Sequence, residues 1–146
     1  ARYALMSARI GAVVVAGDRV ISGGRDRTVR IWQPEIGRMV RIIRAHEGAV
    51  LSIAWSPDGS ALYSAGREGV IRRIDGASDR ILDEWRVEPG EGEGDWIHAL
   101  AVSPDGAMVA FGDWNGRVRI WPVAPGSRRP WPMRTLLWTA PGLSTR

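Results

Sequence analysis

Short apolar runs alternate along the chain with turns built from glycine, aspartate and proline. Residues 49–55 are mostly apolar and end at Ser56-Pro57-Asp58-Gly59, where proline presets φ and glycine accepts a positive φ. Further runs lie at residues 61–64, 70–74 and 80–87, of which the last two are rich in Val, Ile and Trp, and none shows a 3.6-residue period. The pattern predicts an all-β chain of antiparallel meanders, with four strands in this unit.

The chain repeats itself. Three segments align position by position, namely VISGGRDRTVRIW at residues 20–32, LYSAGREGVIRRI at 62–74 and VAFGDWNGRVRIW at 109–121. The Ser-Pro-Asp-Gly turn at residues 56–59 recurs at 103–106, which is 47 positions later. A period in the forties that is made of short strands indicates one four-stranded sheet per repeat.

These residues carry a resemblance. The segment Ser-Gly-Gly-Arg-Asp-Arg-Thr-Val-Arg-Ile-Trp at residues 22–32 resembles the third-strand signature of WD-repeat β-propellers, and the Ser-Pro-Asp-Gly turns are typical of that family. The resemblance implies propeller blades, each a four-stranded antiparallel sheet beside a central channel. It divides the chain into a remnant strand of a preceding blade at residues 1–6, blades at 7–45, 46–92 and 93–139, and a flexible tail at 140–146.

The resemblance also implies a side-chain network of His, Ser or Thr, Asp and Trp that ties each blade's turn to its sheet. The matching positions here are Ser22, Asp26, Trp32, His46, Ser64, Glu68, Asn115 and Trp121. Two of these are substitutions, because Glu68 and Asn115 stand where the family has Asp. Four further positions depart from the family pattern: Met6 stands in the His place of the first unit, Ile74 in the Trp place of the second, and Phe111 and Glu93 in the Ser and His places of the third. No unit is complete.

A partner-binding surface is implied at the rim, at the residue before each tight-turn acid and at the entry of each innermost strand. The matching residues are Arg25, Arg67 and Trp114 in the first set and Arg9, Trp96 and His98 in the second. Arg and Trp are enriched at binding hot spots because they combine contact area with directional donors. The alternative is that they simply occupy a solvated rim.

Three blades are too few for a closed propeller, which contains about four to eight. An open arc leaves an apolar sheet face exposed at each end, and such faces associate. We therefore expect completion by further blades of a longer chain, by a second copy that joins head to tail, or by another protein.

The amino-acid composition excludes several classes of functional site. Cysteine is absent and His46 and His98 are the only histidines, so thiolate metal sites, cysteine nucleophiles and histidine-rich zinc centres are excluded. All 20 basic residues are arginines, but 16 acids are interspersed and the net charge is only +4, which is a weak signal for nucleic acid. Phosphate contacts by the equivalent Arg30, Arg72 and Arg119 are conceivable, although a structural role is favoured. No apolar run reaches about 18 residues, and we expect a soluble, cytoplasmic chain.

No motif indicates catalysis or a cofactor. Residues 87–95 alternate acids with glycines, but the spacing matches no defined calcium loop, so a solvated flexible loop is expected over a calcium site or a contact with a basic partner. The sequence thus predicts a non-enzymatic protein–protein interaction scaffold that uses no metal and no cofactor. The alternatives are a regulatory or substrate-positioning segment of a larger enzyme and, more weakly, nucleic-acid binding through arginines.

Overall fold

The computed structural model describes residues 9–87, 96–123 and 134–136, and in these ranges the chain is built from β-strands. The strands form three four-stranded antiparallel sheets, each arranged in chain order, so the all-β prediction is confirmed. The predicted remnant strand, the acidic stretch after Val87, the tail, Met6 and Glu93 lie outside the described residues. The blade boundaries stay predictions.

Each sheet is a simple meander of consecutive strands. The first contains β1 (Ile10–Ala16), β2 (Arg19–Gly24), β3 (Val29–Gln33) and β4 (Arg38–Ile43), with a single 3-10 turn at Pro34–Ile36. The second contains β5 (Val50–Trp55), β6 (Ala61–Gly66), β7 (Val70–Asp75) and β8 (Ile81–Arg86). The third contains β9 (Ile97–Val102), β10 (Met108–Asp113), β11 (Val118–Pro122) and β12 (Arg134–Leu136).

The second sheet buries both of its faces. Side chains alternate across a strand, so Leu62 of β6 packs towards the first sheet while Tyr63 packs towards the third. The first interface also contains Ile21, Ile31, Val50, Ile53 and Ile74, and the second contains Ile71, Ile97, Val109, Phe111 and Trp121. The core of the molecule therefore lies between sheets, and each sheet depends on its neighbour to shield its apolar side chains.

Polar contacts reinforce both interfaces. Arg19 of the first sheet donates to the carbonyl oxygen of Gly76 at 2.8 Å, and its guanidinium also pairs with Asp79 at 3.7 Å. Between the second and third sheets, the backbone N–H of Leu100 donates to the hydroxyl of Ser52 at 2.9 Å. These bonds satisfy polar groups where two sheets meet and fix the position of one sheet against the next.

The outward faces of the two end sheets keep apolar side chains exposed in the described part of the chain. Val13 and Val15 of β1 alternate with the residues that face the second sheet, and they are 58% and 71% exposed. On the third sheet, Met108 and Val118 are exposed on the side that faces away from the core formed by Val109 and Phe111. The incomplete arc expected from the sequence is thus reflected in two uncovered faces.

Candidate functional site

One edge of the three sheets carries all the predicted rim residues. We call it the upper edge: it is where β1, β5 and β9 begin and where the turns β2–β3, β6–β7 and β10–β11 lie. The same hydrogen bond recurs in every sheet, from the turn to the entry of the innermost strand. The backbone N–H of Arg25 donates to the carbonyl of Arg9 at 2.9 Å, that of Trp114 to Trp96 at 2.8 Å, and that of Arg67 to Ala49 at 3.0 Å. The fold therefore pairs Arg25 with Arg9 and Trp114 with Trp96 from the two predicted sets, whereas Arg67 pairs with Ala49, which was not predicted.

Three aromatic side chains form a cluster at the upper edge of the third sheet. The ring centroids of Trp96 and Trp114 are 5.6 Å apart, those of His98 and Trp114 are 5.3 Å apart, and those of Trp96 and His98 are 5.9 Å apart. These separations lie in the range of favourable aromatic pairs. Trp114 is nevertheless 61% exposed, so the aromatic cluster presents a large apolar side chain to solvent.

A cation from the neighbouring sheet joins the aromatic cluster. The guanidinium carbon of Arg67, in the β6–β7 turn, lies 4.1 Å from the centroid of the Trp96 ring. An arginine over the face of tryptophan at this distance is attracted by the ring quadrupole. The contact crosses the interface between the second and third sheets, so no local sequence pattern signals it.

In the first sheet, the three predicted network residues Ser22, Asp26 and Trp32 all make side-chain hydrogen bonds. The indole N–H of Trp32 donates to the hydroxyl of Ser22 at 2.9 Å. The carboxylate of Asp26 accepts from the backbone N–H of Thr28 at 3.2 Å and pairs with the guanidinium of Arg30 at 2.7 Å. These hydrogen bonds hold the pKa of Asp26 below its usual value against the opposing effect of burial.

The second sheet joins His46, Ser64 and Glu68 in one buried network. One imidazole nitrogen of His46 bonds the Glu68 carboxylate, and the other lies 2.7 Å from the Ser64 hydroxyl. The order Ser–His–acid matches the connectivity of a hydrolytic triad. Ser64, however, is 0% exposed in the middle of β6, where no substrate can reach its hydroxyl. Glu68 also accepts from the backbone N–H of Glu47 at 2.7 Å, so the network ties the β6–β7 turn to the start of the second unit.

The His46 ring is buried, and this shifts its pKa. Desolvation lowers the pKa of the imidazole, and the nearby Glu68 carboxylate opposes this only in part because Arg72 also pairs with that carboxylate at 2.8 Å. A neutral ring that donates to Glu68 through one nitrogen accepts from Ser64 through the other. The pKa of His46 therefore lies below its ordinary value.

In the third sheet, the turn between β10 and β11 is held by Asp113 and not by the predicted residue. Asp113 accepts from the backbone N–H groups of Asn115 and Arg117, both at 3.0 Å, and pairs with the Arg117 guanidinium at 2.8 Å. The amide nitrogen of Asn115, the residue expected to hold this turn, is buried and finds no partner among the described residues. Trp121 is fully buried and packs edge-on against Trp85. The sequence alignment missed Asp113 because it lies two positions earlier than the expected acid.

The equivalent arginines of β3, β7 and β11 are largely shielded from solvent by other residues of the protein. Arg30 pairs with Asp26 and Arg72 with Glu68, while Arg119 is only 6% exposed. These contacts favour the structural interpretation of the three arginines over a row of phosphate contacts.

The opposite edge, which we call the lower edge, has a pocket of about 310 Å³ between the second and third sheets. Asp58 and Asp105 line it, but both already hold turns. Asp58 accepts from the hydroxyls of Ser56 and Ser60 and from the backbone N–H of Ser60, which lowers its pKa to about 2. Asp105 likewise accepts from the Ser103 hydroxyl. Asp58 and Asp105 of this pocket are therefore committed to the fold.

The model of the family described as "WD domain, G-beta repeat" matches residues 11–33, 37–75 and 88–122. The chain belongs to the WD-repeat family. This confirms the resemblance found in the sequence, and WD-repeat propellers are generally non-enzymatic scaffolds for protein interactions. Within the described residues no helix is long and apolar enough to cross a bilayer, and no group of three metal-binding side chains is found there.

Curated relatives are similar to this chain over about three quarters of its length. The chain is 27% identical to autophagy-related protein 16 of Arabidopsis thaliana, covering 77% of this chain and 22% of that protein. It is 32% identical to apoptotic protease-activating factor 1 of Rattus norvegicus, covering 74% and 8%. It is 28% identical to guanine nucleotide-binding protein subunit beta-1 of Nicotiana tabacum, covering 69% and 27%. The chain thus spans about a quarter or less of these relatives.

Two solved structures share the fold. The WD40 repeats of RRP9 superimpose with a TM-score of 0.76 at 22% identity, covering 89% of this chain and 39% of that one. The structure of U3-55K superimposes with a TM-score of 0.80 at 22% identity, covering 94% and 42%. The three sheets therefore have the arrangement of neighbouring propeller blades, and they correspond to about two fifths of those chains.

Proposed function

We propose that this chain is a protein-interaction platform that binds a partner at its upper edge. The observation that carries the proposal is the exposure of Trp114 within the aromatic cluster, beside the Arg67 guanidinium. A tryptophan that is 61% exposed offers a large area to a partner at little ordering cost, since its neighbours already restrain it. The hydrogen-bond networks around Ser64 and Asp113 hold the β6–β7 and β10–β11 turns of this edge.

We further propose that additional blades cover the two end faces. The exposed valines of β1 and the exposed Met108 and Val118 of the third sheet occupy the faces that neighbouring sheets cover elsewhere in the molecule. The blades come from a longer chain, from a second copy or from another protein, and the mass in solution separates these cases. A monodisperse 16.0 kDa monomer of this chain that exposes no apolar surface to a hydrophobic dye would contradict the proposal.

Capture of partners from the native source tests the upper edge directly. Four immobilised proteins are compared, namely the unaltered chain, Arg67→Ala, Trp114→Ala and the control Arg38→Ala. Arg38 is an exposed arginine at the lower edge and makes no ion pair to a described residue, so its loss removes the same charge elsewhere. We expect the two upper-edge variants to lose the partner that the control retains. Equal capture by all four folded proteins would refute the upper edge as the binding site.

A further inference from the structure

The Arg67 side chain is held in place while its hydrogen-bond donors remain available. The guanidinium carbon of Arg67 lies over the Trp96 ring, 4.1 Å from its centroid, and a guanidinium group carries five N–H donors. No described residue accepts a hydrogen bond from them or forms an ion pair with Arg67. A planar, restrained guanidinium is the geometry that binds a carboxylate through two parallel hydrogen bonds.

The charges around this guanidinium also favour an anionic ligand. Several arginines of the upper edge are exposed and have no ion pair to a described residue: Arg9, Arg25, Arg27, Arg44 and Arg67. The turn acids do not neutralise them, because Asp26, Glu68 and Asp113 are engaged by Arg30, Arg72 and Arg117. Glu47 is the one exposed acid among the described residues of this edge. The described residues of the upper edge therefore carry an excess of positive charge.

The aromatic cluster supplies the apolar half of the surface. Trp114 lies 5.6 Å from Trp96 between ring centroids, and Arg67 lies 4.1 Å from the Trp96 centroid, so the exposed indole and the guanidinium are both neighbours of Trp96. A cationic partner is disfavoured, since Arg67 already occupies the face of Trp96 and the neighbouring arginines repel a second cation.

We propose that the occupant of the upper edge is an acidic peptide segment of a protein partner, in which a carboxylate pairs with Arg67 and an adjacent apolar side chain packs on Trp114. The proposal rests on the proposed function and adds the chemistry of the partner to it. A phosphate polymer is the other anion that this edge could attract, and the experiment includes it as a separate arm.

The probe is a fluorescein-labelled octapeptide with six glutamates around a central Leu-Phe pair, and its control carries six glutamines instead. Fluorescence anisotropy at about 0.15 M salt, where long-range attraction is screened, measures both affinities. We expect the glutamate peptide to bind at least about tenfold more tightly, because a hydrogen bond to a charged group is commonly worth that factor. Equal affinity of the two peptides would overturn the proposal.

Variants locate the contact. Arg67→Ala should weaken the glutamate peptide about tenfold, and Arg67→Lys should recover only part of this, since an ammonium group lacks the planar fork. Arg38→Ala at the lower edge should change the affinity less than about twofold, because an exposed charge far from the site contributes little. Equal losses of affinity in Arg67→Ala and Arg38→Ala would show that the peptide responds only to the net charge of the protein, and this would overturn the proposal.

Two further arms decide between occupants. A single-stranded oligothymidylate that binds as tightly as the glutamate peptide would overturn the preference for carboxylates. The chain itself carries four acids in one stretch, at Glu88, Glu91, Glu93 and Asp95. Binding of the glutamate peptide is therefore also measured for a variant in which Gln or Asn replaces each of them. Binding of the peptide to this variant only would assign the upper edge to the chain's own acidic stretch and overturn a partner as occupant.

Failure of this inference is distinguishable from failure of the proposed function. If the glutamate peptide does not bind but Arg67→Ala and Trp114→Ala still abolish capture of the native partner, then the upper edge is the binding site and only its chemistry is wrong. If those variants also retain the native partner, the proposed function itself is refuted.

Discussion

The Arg67 guanidinium rests on the ring of Trp96, 4.1 Å from its centroid, although the two residues belong to different sheets. We predict that Arg67→Ala and Trp96→Leu each lower the free energy of unfolding and that the double variant loses less than the two losses combined. The coupling should be about 0.5–1 kcal/mol, as expected for an exposed cation–π pair. Urea unfolding of the four proteins measures it.

Arg25 provides the control for this cycle. It occupies the place of Arg67 in the first sheet, but its counterpart at the next strand entry is Ala49, which offers no ring. A cycle between Arg25→Ala and Trp96→Leu should therefore be additive. Coupling of the same size in both cycles would indicate a general charge effect and count against the stacked contact.

Gly23 and Gly112 occupy the same position in β2 and β10, but only Gly23 faces a neighbouring sheet. A Cβ at Gly23 would lie 2.9 Å from the Val50 Cβ, whereas one at Gly112 would meet nothing closer than the Ala99 Cβ at 3.9 Å. Gly23→Ala should cost about 1–3 kcal/mol through overpacking. Gly112→Ala should be neutral or stabilise by up to about 1 kcal/mol, since alanine loses less backbone entropy.

Chemical unfolding of the two glycine variants compares the two faces. An equal loss in Gly112→Ala would mean that the outward face of the third sheet is already covered in this chain. In a longer or assembled form that supplies the next blade, Gly112→Ala should become as costly as Gly23→Ala.

Arg27 adopts a left-handed backbone conformation that the other two repeats give to glycine. Its φ is 70°, and the corresponding Gly69 and Gly116 have φ of 69° and 78°. Arg27→Gly should raise the free energy of unfolding by up to about 1 kcal/mol, because the relieved strain exceeds the entropy cost of glycine. Gly69→Ala should lower it by about 1 kcal/mol. Thermal or urea unfolding checks both, and a destabilised Arg27→Gly protein would contradict the argument.

The buried His46 makes stability depend on pH. Its pKa is lowered in the fold, mainly by desolvation, so the unfolded chain takes up a proton more readily as the pH falls below about 6.5. The contribution is complete above that pH and is lost progressively on acidification towards the folded-state pKa. Urea unfolding between about pH 5 and 7 should therefore show stability rising with pH, with a smaller slope in His46→Gln. An unchanged slope in that variant would indicate that another group is responsible.

Much of this structure could be predicted from the sequence, because its determinants are local. The Ser-Pro-Asp-Gly turns and the apolar runs specify strands wherever they occur, and the 42- and 47-residue spacings imply one sheet per repeat. The position of Asp113 could not be predicted, because a carboxylate at either of two turn positions reaches backbone N–H groups of the turn, that of Thr28 from Asp26 and that of Arg117 from Asp113. The stack of Arg67 on Trp96 was also beyond reach, since it depends on how two sheets pack and not on either sequence segment alone.

Hydroxyl-radical footprinting of the captured complex is the most direct test of the upper edge as the binding site. Mass spectrometry reports oxidation of individual tryptophans with and without the partner. Trp114 and Trp96 lie at the upper edge, while Trp55, at the lower end of β5, is a partly exposed control of the same residue type. We predict that the partner lowers oxidation of Trp114 and Trp96 severalfold and leaves Trp55 unchanged. Undiminished oxidation of Trp114 in the complex would contradict the proposed function.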